Sequence, residues 1–340
     1  MNRPSRRNAL NTAMRARIAE ALPRWMRDPD VYCVVVASAA EAAFCAGGDL
    51  RELADWGRRA QAEASRSLAA EYALNWRLEC FTKPTISLIN GLVVGSGVGI
   101  TLYGTHRVAG ENYRFAMPET TIGLFPDDGV SHAFARLPHQ IGMYLALTGR
   151  GLGRADAYRL GLATHCIAAS EFAPIRAALA DAEPVDAVLD SRHQPPGPGE
   201  LPAIEEVVAR CFAADTVEEI IARLRAEPGP HGAWARAVAD DLLARSPTSL
   251  KLAHRHVRLA RALDLRATLV QDYRIARQCL DGHDFYEGVR AVLIDKERPP
   301  RWQPADLEAV SEAMLAPYFA PPADGDLVLA SRAEMQALQI

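Results

Sequence analysis

The segment KPTISLINGLVVGSGVGI, residues 83–100, decides the architecture. PTISLIN (84–90) is an unbroken apolar, β-branched run, too short for a helix, and it reads as a buried strand. It enters GLVVGSGVG (91–99), whose glycines suit a tight turn, and a helix is expected from about residue 98. Strand, glycine loop and helix in succession form the unit of a layered α/β fold with largely parallel strands.

The unit also occurs upstream. VYCVVVA (31–37) reads as a buried strand, FCAGGDL carries Gly47-Gly48, and a helical segment with Leu50, Leu53 and Trp56 follows. Before it, residues 8–28 repeat apolar side chains at helical spacing through Leu10, Met14, Ile18 and Trp25. An Ala-rich helix is expected over 61–81, short strands at HRVAG and NYRFAM, and helix, turn, helix and strand over 137–167.

At residues 182–202 the pattern breaks, and the prolines of QPPGPG rule out a helix there. The expected organisation is therefore a core over 1–182, a Pro/Gly-rich linker or loop over 183–202, and a helical region over 203–340. In that region Ser246 reads as an N-cap before Pro247, and Asp284 with Glu287 has capping-box spacing. No internal repeat is visible in the letters.

Of the 340 residues 49% are hydrophobic and 24% charged, enough to bury an ordinary core. A net charge of −4 gives no electrostatic reason to expect a nucleic acid or an anionic membrane as partner. No stretch reaches the roughly 20 apolar residues of a membrane span, and MNRPSRRNAL lacks the apolar centre of a signal peptide. Six cysteines without a CxxC suit reduced thiols and a cytoplasmic protein. The histidines have no metal-ligand spacing, since His254 and His256 point apart on a helix, so no metal is expected.

Both glycine loops leave backbone N–H groups free at a helix N-terminus, where a negative oxygen is welcome. Sharper readings fail on the letters. A dinucleotide fingerprint from Gly95 needs glycine where Ile100 stands, and a phosphate loop needs Gly-Lys after Gly99. A serine-hydrolase elbow on Ser96 needs glycines where Val94 and Val98 stand. What survives is two loops, each offering one N–H to one oxyanion, as acyl-transfer or enolate chemistry requires. Farther on, MPETTIGLFPDDGV (117–130) holds Glu119 and Asp127 eight residues apart on a path that Pro118, Gly123, Pro126 and Gly129 keep from being a long helix. These acids either cap a turn or act on something bound, with Met117, Ile122, Leu124 and Phe125 limiting solvent and raising a carboxyl pKa.

RPSRRNAL, AFCAGGDL, KPTISLINGLVVGSGVGI and FAMPETTIGLFPD, in this order, resemble the crotonase (enoyl-CoA hydratase/isomerase) superfamily. EYALN (71–75), LALTG (145–149), SPTSLK (246–251) and GHDFYEGVRAVLIDK (282–296) are similar to its 3-hydroxyisobutyryl-CoA hydrolase branch. The resemblance implies a spiral of ββα repeats with a helical C-terminal region that completes the site. It implies an acyl-CoA substrate, with CoA part of that substrate and no other cofactor. It also implies oxyanion donors at the N–H of Gly48 and of Ser96, catalytic or binding roles for Glu119 and Asp127, and an acyl contact from Glu71, beside a wall of Ala46, Asp49 and Leu50.

The activity expected is hydrolysis of a short branched 3-hydroxyacyl-CoA, as in valine breakdown. Glu119 would act as nucleophile or base with Asp127 as its partner. The alternatives are an enoyl-CoA hydratase or isomerase and a non-catalytic acyl-CoA binder; hydratases of the superfamily carry a second glutamate where this chain has Gly99. Ser96 stands where the family usually has glycine, its Cβ costly if the local φ is positive, and Asp128 in DDGVSH departs from the branch's small or apolar residue. Arg51, Lys83, Lys296 and Arg298 are candidates for the CoA phosphates, and Cys45 is expected to be a buried filler. The family's N-terminal hairpin is expected to be missing, leaving a sheet edge and lower stability, and a homo-oligomer is possible.

Overall fold

The computed structural model describes residues 1–40, 43–296 and 299–337. Among the described residues eight strands divide into two sheets. The first joins β1 (Val34–Ala37), β3 (Thr85–Ile89), β5 (His106–Ala109) and β8 (His165–Cys166), all parallel. The second joins β2 (Ala43–Cys45), β4 (Leu92–Val94) and β6 (Arg114–Ala116) in parallel, with β7 (Leu152–Gly153) antiparallel to β6. The chain lays one strand in each sheet and then a helix: β1 and β2 precede Leu50–Arg59 and Gln61–Glu79, and β3 and β4 precede Ser96–Leu102. This is the expected ββα spiral. Its repeat is structural, which is why the letters do not display it.

All five residues of β3 are buried, as its unbroken apolar run requires. The β4 strand, three residues inside GLVVGS, was not legible, because a run that short between glycines looks like loop. β1 is the outer strand of its sheet among the described residues and is half-buried at all four positions. The Met1 amine donates to its last carbonyl, Ala37 O, at 2.7 Å.

Two expectations need correction. Within 183–202, Val185–Asp190 folds as a helix, since Val185, Val188 and Leu189 make one apolar stripe that packs with Ile86 and Leu88 of β3. Only the stretch around QPPGPG is irregular. The capping box at Asp284 does not form either. Asp284 Oδ2 accepts from Ser246 Oγ (2.6 Å) and Oδ1 from Gln303 N (2.8 Å), while Glu287 is held by Arg290 and the Arg301 N–H. Ser246 does cap Pro247–Leu259, accepting from Ser249 N at 3.0 Å. One apolar cluster runs from Phe44 and Leu68 through Phe125 to Leu250, Leu269 and Leu315, so the C-terminal helices share the core of the spiral.

Candidate active site

Two loops at the C-terminal ends of β2 and β4 form the floor. Leu10 braces the first one: its N–H donates to Gly47 O (2.8 Å) and its carbonyl accepts from Asp49 N (2.8 Å). Asn8, buried with a left-handed φ of 57°, holds Phe44 O at 3.1 Å, which is why Asn precedes Ala-Leu there. Asp49 caps Leu50–Arg59 and pairs with Arg3 at 2.7 Å, so its carboxylate braces the loop. In the second loop the positive φ falls on Gly95 (49°), and Ser96 opens the helix in ordinary helical geometry. The serine Cβ is therefore unstrained. A Cβ on Gly48 would lie 2.9 Å from Ser96 Oγ, so the loops abut. Among the described residues neither the Gly48 nor the Ser96 N–H has an acceptor: Ser96 lies in a first helical turn, and Gly48 engages only through its carbonyl, from Leu50 N.

The acids arrive on one compact turn. Glu119 opens a short 3-10 helix, Glu119–Ile122, which Gly123 ends at φ 73°. Asp128 and Gly129 are both left-handed (56° and 72°), reversing the chain after Asp127. Distant groups pin this turn. Tyr72 OH donates to Asp127 Oδ2 (2.7 Å), Asn75 Nδ2 to Asp128 Oδ1 (2.6 Å), and Gly129 N to Asp272 Oδ2 (2.6 Å). Asp272 Oδ1 in turn meets His256 Nε2 at 2.5 Å, both side chains fully buried.

A cavity opens between loops and turn. It is lined by Ala46, Gly48, Asp49, Leu50, Glu71, Ser96, Glu119 and Asp127, so the residues expected at the oxyanion and acyl positions come together. Arg15, Leu53 and Leu68 complete it on one side, and Ala276 and Leu280 of Leu265–Asp281 close it from the C-terminal region. Arg15 was missed: its Nη1 bonds Glu71 Oε2 at 3.0 Å with both side chains 9% exposed. Tyr72, Asn75, His256 and Asp272 were missed as well, since a polar residue on a helix looks the same whether it faces water or a partner. The phosphate candidates fare less well. Lys83 donates to Trp25 O (2.7 Å) and Asp28 O at the end of Thr12–Arg27, Arg51 donates to Leu293 O, and Lys296 is exposed; Arg298 lies outside the described residues.

Burial dominates the electrostatics. Glu119 is pushed up to about 8 by loss of solvent, which its own backbone N–H partly offsets and the Asp128 charge reinforces. Its Oε2 has no partner, and Oε1 lies 3.1 Å from where a Gly95 Cβ would be. Asp127 is raised by burial, then by the charges of Glu119 and Glu71, with the Tyr72 hydroxyl acting against them. Asp128 is raised by burial and by Asp127, with Asn75 opposing. Burial pushes the Cys45 thiol up to about 12 and its Sγ contacts Asn8 O (3.2 Å), which suits a filler and no nucleophile. Among the described residues no group of three or more His, Cys, Asp or Glu is placed to hold a metal ion, and no helix is long and apolar enough to cross a membrane.

Two abutting amide donors beside buried carboxyls, on a ββα spiral, define the class. The chain belongs to the enoyl-CoA hydratase/isomerase family, whose model matches residues 1–319. The branch read from the sequence is supported too. The rat mitochondrial 3-hydroxyisobutyryl-CoA hydrolase is 39% identical over 94% of this chain and 85% of its own, and the human one 37% over 96% and 86%. Among solved structures, a carnitinyl-CoA dehydratase from Mycobacterium thermoresistibile superposes with a TM-score of 0.91 at 37% identity, covering 96% of this chain and 94% of that one. An enoyl-CoA hydratase from Rhodobacter sphaeroides superposes at 0.88 and 37%, covering 96% and 95%.

Proposed function

We propose that the protein hydrolyses a short, branched 3-hydroxyacyl-CoA thioester, with 3-hydroxyisobutyryl-CoA as the substrate to test first. The observation that carries this reading is Glu119: a buried carboxyl with an unpartnered oxygen, in one cavity with the free N–H groups of Gly48 and Ser96. The thioester oxygen would sit between the two amides, which stabilise it as it becomes an oxyanion. Glu119 supplies the attacking oxygen, as its own carboxylate or through a water it deprotonates. In the water route an O–C bond forms, the water proton passes to Glu119, and the C–S bond breaks as the oxyanion collapses. The CoA thiolate leaves and takes up that proton, so water alone balances the reaction and no cofactor is drawn on. Asp127, fixed by Tyr72, orients the attacking group.

Alkene hydration or its reverse, in keeping with the hydratase and dehydratase names of the two solved relatives, fits less well. It calls for a second proton carrier, and Gly99 has none. Thiol release from 3-hydroxyisobutyryl-CoA, lost in Glu119→Gln and Asp127→Asn, supports hydrolysis. Loss of enoyl absorbance without thiol release would overturn it. A single turnover in isotopically labelled water tests the direct route, because label in the Glu119 carboxyl requires an anhydride that water opens at the Glu119 carbon. We place the protein in the cytoplasm because six cysteines without a CxxC suit a reducing compartment; the curated relatives are named mitochondrial, and cell fractionation decides.

A further inference from the structure

We infer that Arg15 is a positioning residue that holds Glu71 as the acceptor for the hydroxyl of the acyl chain, and so makes the site select hydroxylated over plain acyl thioesters. This rests on the hydrolase reading above. Thr12–Arg27 carries four arginines, and of these Arg15 alone is buried, at 7% exposure. Its fork spans two residues one turn apart on Gln61–Glu79: Nη1 to Glu71 Oε2 at 3.0 Å and Nη2 to Ser67 Oγ at 2.8 Å. A buried ion pair is a weak source of stability, because desolvation offsets its attraction, so stability alone gives little reason for it.

The geometry gives another reason. With Oε2 committed to Arg15, Glu71 cannot turn away, and its Oε1 is left buried without a partner. Glu71 and Arg15 both line the cavity, where Leu53, Leu68 and Leu280 supply the apolar surface around them. Four carboxyls line this cavity, and Asp49 is committed to capping Leu50–Arg59 and to Arg3, which leaves three to read a hydroxyl. Asp127 already accepts from Tyr72, and Glu119 lies against Gly95 at the amide loops, where the reacting carbon is expected. Glu71 remains. The ligand it suits has a small apolar body and one hydrogen-bond donor. A chain without that donor would leave the acceptor unpaired in a dry site, the situation in which enzymes reject the lesser substrate most strongly.

The test is thiol release from 3-hydroxyisobutyryl-CoA and from isobutyryl-CoA, compared as a ratio of kcat/KM. The wild-type ratio should exceed roughly 100 in favour of the hydroxylated substrate. In Arg15→Met/Glu71→Met, which replaces the buried pair by apolar side chains of similar volume, the ratio should fall below about 5. Arg15→Lys keeps the charge, drops the arm on Ser67, and should give an intermediate ratio even if the double variant folds poorly. A wild-type ratio near one overturns the inference while leaving the hydrolase reading intact. So does an equal loss on both substrates in Arg15→Lys, which is what a merely structural role produces. No thiol release from either substrate by the wild-type protein overturns the hydrolase reading, and this inference with it.

Discussion

Asp128 fills the space that a side chain at Gly99 would need: a Cβ there would lie 2.8 Å from the Asp128 carboxyl carbon and from Oδ1. The position where related hydratases carry an acid is thus closed as well as empty. Gly99→Ala should lose about 1–3 kcal/mol, since overpacking forces Asp128 or its partners Asn75 and Tyr103 to move. In an Asp128→Gly background, which also removes the Asp128 Cβ that would lie 2.9 Å away, the same change should cost less, with a coupling of roughly 0.5–3 kcal/mol in urea unfolding. Additive losses would show that the two positions do not compete for space.

Glu119→Gln should abolish turnover by a factor of about 100 or more, and it should also stabilise the fold at high pH. The carboxyl ordinarily titrates near 4.5 and is held at about 8 in the folded chain. As pH rises from 4.5 the unfolded state ionises first, so native stability falls until about 8 and then levels off. The variant escapes this loss. Its melting temperature should match the parent's near pH 4 and exceed it by pH 9, the difference corresponding to about 1.4 kcal/mol for each pKa unit of displacement.

If Glu119 works as a carboxylate, kcat/KM of the free enzyme should rise with pH through about 8 and plateau above it. Stopped assays over pH 5–10 read this directly. A flat profile between pH 6 and 9 would mean that another group supplies the nucleophile.

Ser96→Gly should retain activity within a few fold, because the donor is the backbone N–H. Ser96→Pro removes that N–H at a position where proline is tolerated, the first residue of a helix, and should lower kcat about 100- to 1,000-fold with the fold preserved by circular dichroism. Loss of activity in both would assign the role to the hydroxyl.

Asp272 holds Gly129 and His256 from a fully buried position. Asp272→Ala leaves an N–H and an imidazole without a partner and should cost about 3–5 kcal/mol. Asp272→Asn keeps an acceptor for Gly129 and should cost less by about 1–3 kcal/mol. Retained kcat in Asp272→Ala would show that the turn carrying Asp127 does not depend on this anchor.

The amino-acid sequence on its own determined what is local. A β-branched run of seven residues, a pair of glycines and an apolar period state strand, turn and helix without help from the rest of the chain. Glu119 and Asp127 were legible because one short Pro/Gly segment carries both. Only the tertiary structure decided which polar residues on helices are buried and with whom. Arg15 and Glu71 are 56 residues apart, Tyr72 and Asp127 are 55, and Gly129 and Asp272 are 143. The same holds where local reading misled: Asp284 has the spacing of a capping box but spends its carboxylate on Ser246 and Gln303. Periodicity marks the apolar face of a helix. A buried charge leaves no such mark, because what makes its burial tolerable is a partner brought from elsewhere in the fold.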